Sequence, residues 1–484
     1  MSFQYNVYSY DPEKIENPLD YVMFNVVSGK NAATSKNVTW FSDALNGGEQ
    51  SLRYRIQGTE GWKTIQAEQT FLSFTKGGNN KAVNANLVTL TGLVPGSVYE
   101  YQVGQGDAWS AIADFTQSES DSFFVMSDIQ ADDMSNVNIM MQQITKGGYA
   151  FGIQTGDAID DVTGYGEVAQ IADLLGAENV NGSPVLHVLG NHEYYGDADA
   201  LTAKALFGLD VTRPGSHYSV TYGDVYVAVI NYTNTNEQLI SALDWLVKDA
   251  QASNATWKIL TLHQPPYYTN ASGGNMPIYT YVPDAAEEAG INVVFSGHDH
   301  SLARTNPLRD DQIDEDTGIV YYIGGSSGEK SYSITSQGIF DYNKIFSVAT
   351  TAFNATYIGV NPSEDSLEIT MYDVSDGTQE KVDTYTIYTR EAICSNNGHD
   401  FEEPPICEDG MLICNNCGAK VAPVEVKYTG WAADKETGRR MYFVAGEKQT
   451  GMFLLDQTYY YFDKNGVALD STVVLDEVEM EFDN

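Results

Sequence analysis

The sequence predicts a multidomain chain with an N-terminal β-sandwich, a central α/β domain and a small C-terminal region of Cys/His-rich and hairpin-repeat character. Three observations carry this. At 484 residues the chain exceeds what one hydrophobic core organises, and such lengths divide into about two to four domains. Residues 1 to about 117 alternate apolar and polar in short runs such as VTWFS, LRYRI and YEYQV, separated by turns rich in Gly and Asn; that is the pattern of a β-sandwich. From Phe123 onward short apolar runs alternate with longer amphipathic stretches, the texture of layered α/β structure.

The central elements read in order. SFFVMSD is a strand followed by a helix near 135 to 146, and AFGIQTGD is a strand followed by a helix near 165 to 175. PVLHVLGNHE, KILTLHQPP and NVVFSGHDH supply three further strands. In every unit the polar residues come immediately after the apolar run. That gathers them at the carboxyl edge of a sheet, where α/β proteins build their sites.

Charge narrows the partners. Lys and Arg number 26 against 66 Asp and Glu, a net charge of −40, which repels nucleic acid and anionic membrane surfaces. An anionic phosphate substrate then needs a local cationic site, and bound metal ions are the usual source. No apolar stretch reaches the roughly 18 residues of a membrane span, so no membrane insertion is expected, and MSFQYNVYSYDPEK lacks a basic-then-apolar leader pattern. All four cysteines lie between Cys394 and Cys417; a thiol-free stretch before them suits an extracellular life.

The polar residues at the strand ends are Asp128 in SDIQ, Asp157 in TGDAIDD, Asn191 and His192 in GNHE, His263 in LHQPP, and His298 and His300 in GHDH. Carboxylate, imidazole and amide oxygen are a donor set for two hard or borderline divalent ions. Gly156, Gly190 and Gly297 offer the tight strand-exit turns that aim them. Each element alone has an ordinary structural explanation as a turn or a cap. Five in order, each at a strand end, point to a site.

This order, Asp-x-Gln, Gly-Asp-x-x-Asp, Gly-Asn-His-Glu, His and Gly-His-x-His, resembles the calcineurin-like metallophosphoesterase superfamily over roughly residues 120 to 390. VTW, LTGLVPGSVYEYQVG and WS resemble the fibronectin-like domain that precedes the catalytic domain in purple acid phosphatases, and YSVTYGDVYVAVINY and GHDHSLART agree. The resemblance implies an N-terminal domain over 1–117 and a catalytic domain over 118–390, folded as a four-layer α/β/β/α sandwich. It implies Asp128, Gln130, Asp157 and His300 on one metal and Asp157, Asn191, His263 and His298 on the other, with Asp157 bridging. His298 and His300 then serve different ions of a pair about 3.5 to 4 Å apart.

Two departures matter. Gln130 stands where the superfamily usually has histidine; its neutral amide oxygen either ligates the first metal weakly or hydrogen-bonds a water nearby. Asp160 stands where purple acid phosphatases carry a tyrosinate ligand to ferric iron, so no purple colour is expected. By the same comparison Asp160 accepts a hydrogen bond from His192 and holds it oriented and cationic. The implied reaction is attack on phosphorus by a hydroxide bridging two divalent ions (Mn, Fe, Zn or Mg), with His192 as general acid. Asn191, His192 and Arg304 are the candidate contacts to substrate, Arg304 having a salt bridge as its alternative role. His187, inside PVLHVLG, and His217 are read as structural.

The function expected is a metal-dependent phosphomonoesterase acting on a phosphorylated small molecule or cell-surface substrate. A phosphodiesterase with the same site, or a non-catalytic surface adhesion protein with a vestigial metal site, is the alternative. Residues 391–424 hold Cys394, His399, Cys407, Cys414 and Cys417, which suit one structural zinc with one candidate surplus; disulfides are the other reading. The stretch resembles small Cys/His modules in surface proteins of Gram-positive anaerobes. Residues 425–484 resemble degenerate cell-wall-binding repeats, with Tyr442-Phe443 and Tyr461-Phe462 nineteen apart. Stacked hairpins of that type expose aromatics to choline or wall glucan, although so few units form a small cap more readily than a strong binder. A secreted or cell-surface location in a Gram-positive bacterium follows from these resemblances.

Overall fold

The computed structural model describes residues 11–480 except 45–47, 79, 131–132, 213–216, 273, 329, 336–344, 351–354, 376–377, 456–457, 470–472 and 476–477. The first ten residues, read above for a leader, lie outside them. The chain forms two compact units, Met1–Ile387 and Tyr388–Asn484.

Five parallel strands carry the site: β1 (Phe123–Met126), β2 (Phe151–Gln154), β3 (Val185–His187), β4 (Trp257–Leu262) and β5 (Val293–Ser296). β3, β2 and β1 are neighbours in one sheet, β4 and β5 in another. Their near-continuous apolar character is what strands covered on both faces require. Between the sheets Phe123, Val125, Phe151 and Ile153 pack against Val227, Ile259, Val293 and Phe295. The outer face of the first sheet carries α1 (Ser135–Gly147) and α2 (Tyr165–Leu174), at the positions the sequence predicts. The outer face of the second carries α3 (Asn236–Gln251) and α4 (Met276–Ala289). In α3, Leu239, Ala242, Leu243, Leu246 and Ala250 fall on one buried stripe, and Thr235 caps its start by accepting from Gln238 N at 3.3 Å. The result is the four-layer α/β/β/α sandwich.

The N-terminal strands do form a β-sandwich, around Phe24, Trp40, Tyr54, Tyr99, Tyr101 and Phe115. One of its sheets, however, is continuous with the central one. Met23–Asn25 pairs antiparallel with Ser35–Asp43 on one side and parallel with β3 on the other, through Asn25 and Val185. The whole forms an eleven-stranded sheet. His187 fastens this join: it is buried, its Nε2–H donates to Asn25 Oδ1 at 3.1 Å, and its ring stacks on Phe207 at 3.8 Å. Burial pushes its pKa down to about 3, so it is neutral there. Its role is structural, as is that of His217, which lies against Trp245.

In the second unit, strands Met411–Ile413, Ile406–Glu408, Gly430–Asp434 and Arg440–Val444 are neighbours in one sheet. The Cys/His stretch and the first repeat are therefore joined, with Cys407 paired to Asp434. Two hairpins repeat the same geometry, Trp431 opposite Tyr442 and Phe453 opposite Tyr460. Their aromatics meet each other: Trp431 contacts Tyr442 and Tyr460 edge-on at 5.2 and 5.1 Å, and Arg440 sits 4.3 Å over its ring.

Lys36 is a second rivet of the N-terminal join and an expensive one. It is wholly buried between the Phe24 and Phe115 rings and donates to Gly182 O at 2.9 Å. Burial pushes its pKa down to about 7. A base depressed below its unfolded value binds fewer protons when folded, so it makes stability rise with pH between about 7 and 10.5, by up to about 1.4 kcal/mol per unit. Lys36→Met should remove that contribution. Urea midpoints should show the variant gaining on the native protein most at and below pH 7, with the difference shrinking toward pH 10. A difference independent of pH would mean that Lys36 titrates normally.

Candidate metal centre

Each site residue lies just past a strand: Asp128 after β1, Asp157 after β2, Asn191 and His192 after β3, His263 after β4, and His298 and His300 after β5. The chain must turn within two or three residues, and the candidate ligands themselves take the strained conformations. Asp128, Asp157, His298 and His300 have φ of 50°, 53°, 68° and 45°, a left-handed region that costs about 1–3 kcal/mol for a residue with a Cβ. Of the three glycines, Gly156 turns at φ 107°. Gly190 and Gly297 serve by close approach: a Cβ on the first would run into Asp157 Oδ1, and on the second into Ser127 Oγ and Asp128 Oδ2.

The donors converge. His263 Nε2 is 3.1 Å from Asp157 Oδ2 and 3.2 Å from His298 Nδ1, and one atom from each of Asp157, His263 and His298 lies within 4.8 Å of the others. Asn191 Oδ1 is buried beside them without a hydrogen-bond partner among the described residues, while its Nδ2 donates to Tyr195 OH at 2.9 Å. His300 Nε2 lies 3.4 Å from Asp128 Oδ1. His263 and His300 donate from Nδ1 to the carbonyls of Thr155 and Lys330, each at 3.0 Å, so the Nε2 lone pairs face the site.

Electrostatics show what the pocket lacks. Burial alone would raise the Asp157 carboxyl and lower the His263 imidazole; their ion pair outweighs it, holding Asp157 below the usual carboxylate range and His263 above the usual imidazole range. His298, partly buried, is pushed down to about 3 by desolvation and by the neighbouring His263. Asp128 is fully buried and pushed up by that burial against the pull of His300 and His263. An orphaned amide oxygen, two buried carboxylates and three oriented imidazoles fit divalent cations, whose binding must displace the His263 proton.

Gln130 has a neighbour that the sequence does not predict. Its Oε1 accepts from Lys330 Nζ at 3.3 Å, and its Nε2 is buried without a partner among the described residues. Of the residues implied for the first metal, Asp128 and His300 meet at 3.4 Å, and His300 bonds the backbone of Lys330. Arg304 is a correction. It is buried, pairs with Asp383 at 2.6 Å, donates to Ser347 Oγ and Thr305 O, and lies over the Tyr385 ring, which is its alternative role as a salt-bridge residue rather than a contact to substrate. Asp160 departs in detail: His192 Nδ1–H donates to its backbone carbonyl at 2.7 Å, while the exposed carboxylate stands at 3.4 Å. His192 Nε2, 3.9 Å from Asp157 Oδ2, is left toward the site.

Sequence reading missed three residues. Glu193 is fully buried and its carboxylate accepts from Asp157 N at 3.0 Å, Gly190 N at 2.7 Å and Ile159 N at 3.2 Å. Burial and the Asp157 charge push its pKa up to about 7. Asp299, between the two ligand histidines, accepts from the backbone of Thr269 and Asn270 and is pushed up to about 6 by burial. Both acids lie inside quoted motifs, Gly-Asn-His-Glu and Gly-His-Asp-His, and burial is what distinguishes them. Lys330 had no signal in the sequence. It lines a cleft of about 380 Å³ together with Ile129, Gln130, Ile159, Asp160 and Glu167.

Glu193→Gln replaces an acceptor with a donor facing backbone N–H groups. It should cost about 1–3 kcal/mol of stability by urea unfolding and weaken metal binding about 10- to 100-fold by titration. Unchanged metal affinity would show that the turn holds without this carboxylate.

With this geometry in place, comparison with known proteins is informative. Residues 24–117 match the purple acid phosphatase N-terminal domain and residues 122–302 match calcineurin-like phosphoesterase. Purple acid phosphatase 15 of Arabidopsis thaliana is 26% identical over 161 residues, 30% of each chain, so this chain spans less than a third of that relative's length. Human acid phosphatase type 7 is 24% identical over 306 residues, covering 54% of this chain and 69% of that one. Among solved structures, a purple acid phosphatase from yellow lupin (Lupinus luteus) seeds superposes with a TM-score of 0.57 at 15% identity, over 76% of this chain and 74% of its own, a likeness of fold. The chain thus carries a purple acid phosphatase N-terminal domain followed by a calcineurin-like phosphoesterase domain.

Proposed function

We propose that the protein is a metal-dependent phosphomonoesterase working from a pair of divalent cations, with His192 as general acid. The observation that supports it best is the convergence of Asp128, Asp157, His263, His298 and His300 with the orphaned Asn191 Oδ1 at the carboxyl edges of five parallel strands. Bound there, two such cations supply the positive charge that a phosphate needs in so acidic a protein, and they activate water at neutral pH.

The chain's own residues do the rest. Asp157 would belong to both donor sets; Glu193 holds its backbone, while His192 N and His263 Nε2 hold its two carboxylate oxygens. His192 is held at Nδ1 by Asp160 O, which leaves Nε2 to deliver a proton to the departing alkoxide. Lys330 adds a cation to the cleft that Gln130 and Asp160 line, available to the phosphate or its leaving group. Asp160 in place of a tyrosinate supports a colourless enzyme. The absence of thiols before Cys394, in a chain of net charge −40, supports work outside the cell. The direct test is turnover of p-nitrophenyl phosphate and bis-p-nitrophenyl phosphate by metal-loaded protein. The monoester should be the better substrate; hydrolysis of neither, nor of natural phosphoesters, would overturn the reading.

His192→Ala should keep both metals and lower turnover about 10²- to 10⁴-fold. Because the carbonyl of residue 160 makes the shorter bond, Asp160→Ala should cost only about tenfold or less, a fraction of what an essential orienting carboxylate would. Equal losses in the two variants, measured as kcat at saturating metal, would return that role to the carboxylate.

Gln130→His should free the amide's place beside Lys330 and add an imidazole to the first position. Zinc affinity at that position should rise by about an order of magnitude or more, with the second position nearly unchanged, because imidazole is the better donor for zinc. Competitive zinc titrations of both proteins read this directly. Identical first-site affinities would count against Gln130 lying within reach of the metal.

A further inference from the structure

The C-terminal unit holds a second donor cluster of different chemistry. Cys394 lies within the helix α5 (Arg390–Asn397), and Gly398, at φ 96°, caps it by donating from its N–H to Cys394 O at 2.8 Å before the chain leaves to His399. Cys414 follows the strand Met411–Ile413. Cys417 lies in the turn beyond it, where Gly418 N donates to Cys414 O at 2.8 Å and Cys414 N to Ala419 O at 3.0 Å. Asn415 N donates to Asp400 O at 2.9 Å and ties the two halves together.

This brings Cys414 Sγ to 3.8 Å from Cys394 Sγ and Cys417 Sγ to 3.7 Å from His399 Nδ1, with all four donor atoms within 4.8 Å of one another. A disulfide requires about 2.05 Å. The edge of a tetrahedron drawn around a cation at about 2.3 Å from each sulfur is roughly 3.8 Å. The spacing is that of donors around a common centre.

Cys407 is elsewhere. It is fully buried on the strand Ile406–Glu408 and packs with Leu412, Ala432, Met441 and Phe443, the small apolar core of this unit. We propose that Cys394, His399, Cys414 and Cys417 bind one zinc ion in a closed tetrahedral site that fastens α5 to the following hairpin, and that Cys407 takes no part. Three thiolates and an imidazole are a soft donor set suited to zinc, and four protein donors leave no open position for catalysis. So small an apolar core gives the metal a folding role. The centre described above contains no thiolate, so the two sites can be told apart spectroscopically.

The test uses the full chain, stripped of metal under reducing conditions and titrated with cobalt(II). One equivalent should produce thiolate-to-cobalt charge transfer in the near ultraviolet and the intense visible bands of tetrahedral cobalt, and zinc should abolish both. Cys407→Ser should keep these bands and Cys414→Ser should lose the charge transfer. Protein freshly isolated without reductant, then unfolded in chelator, should titrate as four thiols. No charge-transfer band in the native chain, loss of it in Cys407→Ser, or two missing thiols would each overturn the proposal. If Cys414→Ser fails to fold, the native titration and Cys407→Ser still decide.

Discussion

The geometry of the metal centre hangs on the carboxylate of Glu193. Two loops leave adjacent parallel strands, one carrying Asp157 and the other Asn191 and His192, and neither has a ladder partner beyond its strand. One buried carboxylate takes N–H groups from both, from Asp157 and Ile159 on one side and Gly190 on the other. That bond set is what allows Asp157 to remain in the left-handed region with a carboxylate pointing into the site. Asp128 plays the matching part across the interface between sheets, accepting from His298 N at 2.9 Å. The ligands are thus braced by backbone donors before any metal arrives, and the strain they carry is spread over several loops.

Charge organises the same region. Buried carboxylates and imidazoles without a metal can only neutralise one another, and the Asp157–His263 pair is that compromise. Metal binding replaces it, so occupancy is coupled to proton release and weakens as pH falls. Lys330 brings a cation to Gln130, and its carbonyl holds His300.

Much of this was legible in the sequence because an apolar run ending in a polar residue states both the strand and its edge. The five strands, α1, α2 and the residues Asp128, Asp157, Asn191, His192, His263, His298 and His300 were read that way. What could not be read depends on partners distant in the chain. Arg304 follows a motif and looks available, yet Asp383 and Tyr385 claim it. Lys330 sits in a polar loop without pattern. The glycines suggested the turns, but the positive φ values belong mostly to the ligands, since a hydrogen-bonded loop can force what local preference resists. Cys407 looked like its neighbours until its strand turned it inward.

The join at Asn25 bears on how the protein is made. His187 and Asn25 are 162 residues apart, so during synthesis Met23–Asn25 offers an unsatisfied edge until β3 has emerged from the ribosome. The early strands can close their own sandwich in that interval but cannot complete their sheet. Such distant pairing slows folding, and an open edge invites pairing with another nascent chain. The N-terminal region is consequently a poor candidate for transfer to another protein: cut away, it would carry half of a seam.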